Sequence, residues 1–428
     1  MARLRVVVLD EELPWPINSG KRIRTYQLLT RLARWHELHF ITRSNADPAE
    51  VAPAVAEFAR CGIATTVVPC TLPPRRGLRF GLRLVGNLFS PLPYSVASHL
   101  QRPYLAAIAA HARTAAVDLW HCEWTPYAQH LRAALGARLD GCRWVVMAHN
   151  VESLIWQRYA EHEPQRFKRW YIEKQLNKFR RFERWAYSSA TRTIAVSQAD
   201  ADLIRHQYHG RDVSVVENGV DPAWFKPNEA ARREPASLLF MGSLDWRPNL
   251  DAVDSLLHEI LPRVRQAVPE VRVRLVGRNP SPELRQRLAR YPQVQLHANV
   301  EDVRPYLHAA SALIVPLRIG GGSRLKILEA LAAGTPVIST AVGAEGLPLV
   351  DGQHAVVVPT AASMVPHIVA LCHEATPFLQ QAERGRRLVV ERFGWDRLAE
   401  KLNRAWVEAA GAGRADPNPR LIDMPYAS

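Results

Sequence analysis

Short apolar runs alternate with longer amphipathic stretches along almost the whole chain, which is the pattern of β-strands that alternate with α-helices. Runs of strand length occur at residues 5–9, 38–42, 65–68, 118–122, 144–148, 192–196, 213–216, 237–241, 272–276, 294–296, 313–317 and 337–340. A polar, proline-bearing stretch separates the first seven runs from the other five. Two such series joined by a linker predict an α/β protein with two doubly wound, Rossmann-like domains.

The predicted organisation places the N-terminal domain at residues 1–222, a linker at 223–235 and the C-terminal domain at 236–394. Residues 395–410 have the pattern of one more helix, which we expect to pack back toward the N-terminal domain, and the tail 411–428 has no periodicity. Ligands of doubly wound sheets bind beyond the carboxyl ends of the strands. We therefore expect a site in a cleft where the two domains face each other.

The segment 313–340, LIVPLRIGGGSRLKILEALAAGTPVIST, has the order strand, glycine loop, helix, glycine stop and strand. Gly320, Gly321 and Gly322 leave backbone N–H groups accessible in the turn, and Ser323 suits the N-cap of the helix. Bare N–H groups at the start of a helix bind phosphate well. The loop therefore predicts an anion-binding site.

Three cations, Arg318, Arg324 and Lys326, crowd this loop and the first helical turn. Because the N-terminus of a helix already carries partial positive charge, such cations are unfavourable there unless an anion binds. Glu329 lies one turn after Lys326 on the same face, where its carboxylate can accept hydrogen bonds from sugar hydroxyls. A solvated Lys–Glu pair after an ordinary glycine turn has a similar pattern, but the combination favours a phosphate site.

Other polar residues also follow predicted strands. His149 comes directly after the run 144–148, with Asn150 and Glu152 beside it, and Glu123 follows the run 118–122. We expect these side chains in the cleft, because they stand at the carboxyl ends of strands. A histidine satisfied by the backbone and a surface carboxylate are the alternatives.

Three further glycines stand at strand or helix ends. Gly242 and Gly277 end two strands of the second series, and Gly20 precedes the first helix, which also carries Arg24. A glycine at such a position lets the backbone approach a ligand closely. At Gly20 an ordinary helix entry is an equal alternative.

Composition and charge exclude only some classes of protein and of binding partner. The 428 residues carry a formal net charge of +14, which implies an anionic partner without choosing among nucleic acid, anionic lipid and phosphorylated ligands. No apolar run approaches the ~20 residues that span a bilayer, and the N-terminus predicts a first strand instead of a signal peptide. The five cysteines form no C-x-x-C, which fits a cytoplasmic protein and predicts no metal framework.

Two basic, aromatic stretches add a possible membrane contact. Residues 165–185 combine eight Lys or Arg with six aromatics, and residues 73–94, PPRRGLRFGLRLVGNLFSPLPY, are similar. Such segments contact anionic membrane surfaces, although a solvated helix with its aromatics in the core has the same composition.

Asp200 and Asp202 form a D-x-D sequence, which in other transferases binds a metal ion. Because Ser197 stands three residues before Asp200, the pattern favours a helix-capping box instead.

Seven segments in a fixed order resemble retaining glycosyltransferases of family 4, which have the GT-B fold. The resemblance covers nearly the whole chain and rests on NSGKRIRTYQLL, AHNVESLIWQR, IAVSQADADLI, VENGVDPAWFKP, FMGSLDWRPNLDAV, VEDVRPYL and GGGSRLKILEALAAGTPVIST. It implies transfer of a sugar from a nucleotide-diphosphate donor on the C-terminal domain to a glycan or polyprenyl-linked acceptor on the N-terminal one. Retention of the anomeric configuration and a role in cell-surface or exported polysaccharide synthesis are implied with it.

The resemblance also implies roles for the candidate residues. Glu329 would hold the nucleotide ribose, and Lys326 with Arg247 or Arg324 would clamp the diphosphate. The residues expected to assist at the donor are Gly20, Gly242, Gly277, Gly320, Gly321, Gly322 and Ser323. His149 would face the sugar or the diphosphate, and Glu123 would act as a base or as an acceptor contact. Arg24, Asn150 and Glu152 would lie on the acceptor or membrane side.

Three positions depart from the family's usual pattern. Gly321 stands where a glutamate is common, Pro248 where a lysine is common, and Glu123 where a histidine is common. The first departure concerns how the donor sugar is held, and backbone N–H groups of the loop would have to help. No metal and no cofactor besides the donor are implied, because fixed cations and a helix N-terminus can stabilise a leaving diphosphate.

Two other classes stay open. A nucleotide-sugar 2-epimerase shares the two-domain architecture, and a basic nucleic-acid-binding protein would share the charge. The cations cluster after strands and the sequence contains no helix-turn-helix, zinc or RNA-binding motif, so we expect no nucleic-acid partner.

Overall fold

The computed structural model describes residues 3–74, 77–228, 230–319 and 325–411. It contains two parallel sheets. The strands of the first are β1 Arg5–Leu9, β2 Glu37–Arg43, β3 Ile63–Val68, β4 Leu119–Cys122, β5 Trp144–Ala148, β6 Arg192–Ala195 and β7 Val213–Val215. Those of the second are β8 Ser237–Met241, β9 Arg272–Gly277, β10 Val294–Ala298, β11 Ala312–Val315, β12 Val337–Thr340 and β13 Val356–Val358.

The strand order in both sheets is that of a doubly wound fold. The N-terminal sheet runs β3-β2-β1-β4-β5-β6-β7, and the C-terminal sheet runs β10-β9-β8-β11-β12-β13. The order reverses at β1 and at β8, and such switch points open the crevice in which ligands bind. The predicted fold class, α/β with two Rossmann-like domains, is confirmed.

Helices connect the strands. In the N-terminal half they are α1 Gly20–Leu32, α2 Val51–Arg60, α3 Gly77–Asn87, α4 Tyr94–His99, α5 Arg102–Thr114, α6 Tyr127–Leu135, α7 Glu152–His162, α8 Arg166–Ser189 and α9 Gln198–Tyr208. In the C-terminal half they are α10 Arg247–Ser255, α11 Leu261–Ala267, α12 Pro282–Leu288, α13 Arg304–Ala309, α14 Leu325–Ala332, α15 Ala341–Ala344, α16 Val365–His373, α17 Thr376–Arg392 and α18 Trp395–Ala410. A π-helical turn, Leu256–Ile260, joins α10 to α11.

Both faces of the N-terminal sheet are buried. Val6 and Val8 of β1 belong to one hydrophobic cluster, while Val7 and Leu9 belong to another on the opposite face. Successive side chains of a strand point to opposite faces, so a sheet covered on both sides needs continuous apolar runs. This requirement is why the strands stand out in the sequence.

The last helix, α18, packs on the N-terminal sheet. Its buried Leu398, Leu402 and Trp406 share a cluster with side chains of β1. Lys401 Nζ lies 2.7 Å from Glu217 Oε2, just after β7. The chain thus crosses to the C-terminal half and returns, although the exact domain limits stay predictions.

The D-x-D sequence formed by Asp200 and Asp202 lies at the start of α9. The Ser197 hydroxyl accepts a hydrogen bond from Asp200 N at 3.0 Å and donates one to Asp200 Oδ2 at 2.6 Å, which is the capping arrangement predicted. Among the described residues no group of three or more metal-binding side chains occurs. None of the described helices is long and apolar enough to cross a bilayer.

Candidate active site

The carboxyl ends of the two sheets carry the predicted site residues. Glu123 directly follows β4 and His149 follows β5, while Gly242 follows β8 and Gly277 ends β9. The two edges meet at Gly20, where a Cβ atom would lie 2.9 Å from Leu325 Cδ1. Because Gly20 opens α1 and Leu325 opens α14, the absence of a side chain at Gly20 lets the two helix starts touch. The catalytic and binding roles given to these residues remain predictions.

Lys326 is held at the start of α14 by neighbouring groups of the C-terminal half. Its Nζ donates a hydrogen bond to Asn249 Oδ1 at 3.1 Å and lies 4.9 Å from the centre of the Phe240 ring. Asn249 in turn donates to the carbonyl oxygen of Ser243 at 2.8 Å. The ammonium group is therefore fixed beside the loop that follows β8.

Glu329 lies one turn further along α14 and is half-buried. Burial raises the pKa of its carboxyl group to about 7, although the charge of Lys326 opposes this shift. A carboxylate in such surroundings gains from hydroxyl donors, because they replace the lost water. The position thus suits the ribose contact implied for Glu329.

Gly242 and Gly277 have a packing reason in addition to their predicted place near a ligand. A Cβ atom on Gly277 would lie 2.1 Å from the carbonyl oxygen of Gly242, and one on Gly242 would lie 2.6 Å from Asn249 Nδ2. Backbone here approaches backbone, which only glycine permits. This close approach positions the Asn249 amide that holds Lys326.

Part of the glycine loop lies outside the described residues, namely Gly320, Gly321, Gly322, Ser323 and Arg324. Their predicted roles stay predictions.

Arg318, before the loop, lies within the structure. Its guanidinium pairs with Asp251 at 2.8 Å and Glu259 at 3.0 Å, so these two carboxylates offset its charge.

Arg247 reaches toward the N-terminal half, and its place in the diphosphate clamp stays a prediction. Its guanidinium lies 3.1 Å from Glu163 Oε2 and 4.6 Å from the centre of the Tyr159 ring. Arg158, which like Tyr159 lies on α7, forms a bidentate ion pair with Glu345 at 2.6 and 2.8 Å. Both arginines thus join α7 to the C-terminal half.

Glu123 is buried and strongly hydrogen-bonded, which shows that the surface-carboxylate alternative is wrong, while its expected functional role stays a prediction. Its carboxylate accepts from His121 Nε2 at 2.7 Å and Thr25 Oγ1 at 2.9 Å, and lies 3.4 Å from His149 Nε2. Burial favours the neutral acid, but the bonds from the two histidines outweigh it and hold the pKa of Glu123 well below its usual value. An ionised, fully bonded carboxylate orients its neighbours and makes a poor base.

His149 is the residue that Glu123 orients. Burial lowers the pKa of the His149 imidazole, against the raising effect of Glu123. Lys21 and Arg24 lower this pKa further through their charges. The net effect lowers the pKa of His149 and therefore favours the neutral imidazole.

Glu152 lies on the side where the acceptor was predicted, next to the half-buried Asn150. Its Oε1 accepts a hydrogen bond from Trp124 Nε1 at 3.1 Å. Burial raises the pKa of Glu152 to about 7. A carboxyl group and an indole side by side suit contacts with a sugar, whose hydroxyls and apolar ring face need both.

Arg24 is only 1% exposed, and its guanidinium is enclosed by the chain that follows β7. Its guanidinium donates to the carbonyl oxygen of Val216 at 2.7 Å and to Asn218 Oδ1 at 3.0 Å. The chain leaving β7 thus engages this side chain, and the role given to Arg24 stays a prediction.

Sequence reasoning missed an acidic group after β1. Lys21 Nζ forms ion pairs with Asp10 and Glu11, and Glu11 also lies 3.5 Å from His99 Nε2. The signal was present, since Asp10 and Glu11 directly follow a buried strand as His149 does.

The arrangement of two parallel doubly wound sheets whose carboxyl edges face a common cleft is the GT-B fold. Two family models match the chain, "Glycosyltransferase Family 4" over residues 19–224 and "Glycosyl transferases group 1" over residues 235–374. Together these matches cover most of the chain, which belongs to glycosyltransferase family 4.

Curated relatives support the same family. Glycogen synthase of Mycobacterium tuberculosis is 25% identical over 263 residues, 57% of this chain and 60% of that protein. D-inositol 3-phosphate glycosyltransferase of Streptomyces bingchenggensis is 32% identical over 52% of this chain and 53% of its own length. The matches thus span less than two thirds of these relatives.

Solved structures show the same fold. Sucrose-phosphate synthase from Thermosynechococcus elongatus superposes with a TM-score of 0.70 at 20% identity, covering 96% of this chain and all of that one. Anabaena HepE in complex with UDP-glucose gives 0.66 at 15% identity, with 95% and 100% coverage.

Proposed function

We propose that this glycosyltransferase moves a sugar from a nucleotide-diphosphate donor to a hydroxyl of a glycan or lipid-linked acceptor, with retention of anomeric configuration and without a metal. The observation that carries the proposal is the contact of Gly20 with Leu325, which sets the helix bearing Lys326 and Glu329 against the edge that bears His149. A role in cell-surface or exported polysaccharide synthesis is part of the proposal.

In the proposed reaction, Lys326, Glu329 and His149 each have a separate role. The bond between the anomeric carbon and the diphosphate oxygen breaks, and Lys326 with the start of α14 stabilises the charge that develops on the leaving group. The acceptor oxygen bonds to the same face of the sugar, and its proton passes to the departing phosphate. Glu329 holds the ribose, while His149, oriented by Glu123, contacts the reacting sugar.

Similar proteins support the two substrate classes. HepE was solved with UDP-glucose, and a phosphatidyl-myo-inositol mannosyltransferase of Mycobacterium tuberculosis is 27% identical over 48% of this chain. The first supports a nucleotide-sugar donor, and the second supports a lipid-linked acceptor.

Calorimetry with UDP, GDP and ADP tests the donor class. We expect one nucleotide to bind, and its sugar derivative to be consumed at the same rate with or without EDTA, giving a product of unchanged anomeric configuration by NMR. Release of a free epimerised sugar from UDP-N-acetylglucosamine without acceptor would indicate an epimerase instead. Salt-dependent DNA binding with no nucleotide binding would contradict the proposal.

We also propose that α3 brings the enzyme to an anionic membrane. Leu78, Leu82, Val85 and Phe89 are 82%, 63%, 57% and 89% exposed and lie along one side of the helix and its end. Cations follow on the same helix at positions 79 and 83. An exposed apolar stripe with adjacent arginines suits the interface of an anionic bilayer.

Sedimentation with lipid vesicles tests this contact. The wild type should pellet with phosphatidylcholine vesicles that contain phosphatidylglycerol, and much less with phosphatidylcholine alone or at high salt. Replacing Leu82 and Phe89 with serine should abolish binding. The matched control replaces Leu379 and Val390 of α17, which are 39% and 41% exposed. Equal loss in both double variants would overturn the assignment to α3.

A further inference from the structure

Two hydrogen bonds and one ion-pair contact join the C-terminal helix to the cleft. Trp406 of α18 is fully buried, and its Nε1 donates to His121 Nδ1 at 2.9 Å. His121 Nε2 lies 2.7 Å from Glu123 Oε2, and Glu123 Oε1 lies 3.4 Å from His149 Nε2. Four side chains from α18, β4 and the loops after β4 and β5 thus form one line that ends at the predicted reaction centre.

The first bond of this line determines the form of His121. An indole N–H is a donor only, so Nδ1 of His121 must accept and the ring proton must sit on Nε2. That proton then points at Glu123. A second proton on Nδ1 would face the indole N–H, so the contact keeps His121 neutral and leaves the negative charge of Glu123 for His149.

We propose that Trp406 is a positioning residue whose indole N–H fixes the tautomer and charge of His121 and, through Glu123, sets the protonation and orientation of His149. The link to catalysis rests on the proposed function, because it needs His149 beside the reacting sugar. The line of contacts itself does not depend on that function.

Other charged groups face the same site and must be considered. Lys21 and Arg24 of α1 act on His149, and Asp10 after β1 interacts with Glu123. None of these three is changed in the experiment. A difference between variants therefore reports on Trp406 and His121.

The test is an NMR titration of the ¹⁵N-labelled His149 ring in the full chain, assigned with a His149→Gln variant. Trp406→Phe keeps most of the buried bulk and removes the N–H. His121 can then take a second proton and offset Glu123, so the His149 midpoint should fall by about one pH unit. The limb of the transfer pH profile that follows His149 should move in the same direction.

His121→Gln supplies the decisive control. The Gln amide can accept from the indole and donate to Glu123, yet it cannot titrate. It should keep the wild-type His149 midpoint, and adding Trp406→Phe in this background should cause no shift. A purely structural role for Trp406 would change stability without this dependence on His121.

Two results would overturn the proposal: an unchanged His149 midpoint in folded Trp406→Phe, or the same shift with and without His121→Gln. If Trp406→Phe does not fold, the proposal is tested by comparing the His149 midpoint in His121→Gln with that in His121→Leu. Only the leucine variant should move the His149 midpoint, and equal midpoints would refute the idea. Failure of sugar transfer in the wild type would refute the proposed function and leave the NMR result intact.

Discussion

Replacing Lys326 with alanine should lower kcat/KM for sugar transfer by about 10²–10³-fold, the range typical for loss of one preorganised charge at a developing anion. The ammonium group is fixed by Asn249 at 3.1 Å at the start of α14. It therefore needs no reorganisation when the diphosphate leaves. Because the charge on the leaving group grows in the transition state, the loss should appear mainly in kcat.

A charge-matched control separates this effect from the general basicity of the chain. Arg387→Ala removes a cation from α17, where Arg387 is 71% exposed and pairs only loosely with Glu383 at 3.5 Å. That variant should retain full activity. Turnover of the confirmed donor near the wild-type rate by Lys326→Ala would show that the diphosphate is clamped elsewhere.

The strands were predictable because parallel strands covered on both faces must be apolar throughout. Arg5–Leu9, Trp144–Ala148, Ser237–Met241 and Val337–Thr340 were placed with the bounds that the structure has. The run 313–317 ends sooner, as β11 stops at Val315, because Pro316 cannot donate to a sheet ladder.

The helices between β3 and β4 were not predicted, although residues 73–94 were noted as a possible membrane contact. The chain there folds into α3, α4 and α5, of which α3 has most of its apolar side chains in solvent. An apolar stripe that does not face the core carries no signal of where the helix packs. Such elements are recognisable only once the neighbouring fold is known.

Candidate site positions could be inferred from topology, whereas their partners could not. Glu123 and His149 follow strands, and the carboxyl ends of parallel strands share one edge. That His121 contacts Trp406, 285 positions away, is set by the return of α18 and leaves no local pattern. The burial of Arg24 against residues 216–218 is of the same kind.

Replacing Glu329 with glutamine should weaken donor binding by about 10–100-fold, the range expected when hydrogen bonds to a charged group are lost. The same change should stabilise the protein at pH 8. The folded state raises the carboxyl pKa from 4.5 to about 7, so folding favours the protonated acid. The stability contributed by the bound proton is complete below pH 4.5 and is lost as the pH rises through about 7.

A glutamine side chain does not titrate, so the free energy of unfolding of the variant has no such pH dependence. The gain over wild type should be absent at low pH and reach about 1–3 kcal/mol at pH 8. This range allows for the water that still reaches the half-buried side chain. Urea unfolding at pH 5 and pH 8 measures the difference, and calorimetry with the confirmed nucleotide measures binding. Glu391→Gln on the exposed face of α17 should change neither. A gain in stability together with a loss of binding is the signature of a carboxylate kept for its ligand at a cost to the fold. Unchanged donor affinity would exclude Glu329 from the ribose site, even if the gain in stability is observed.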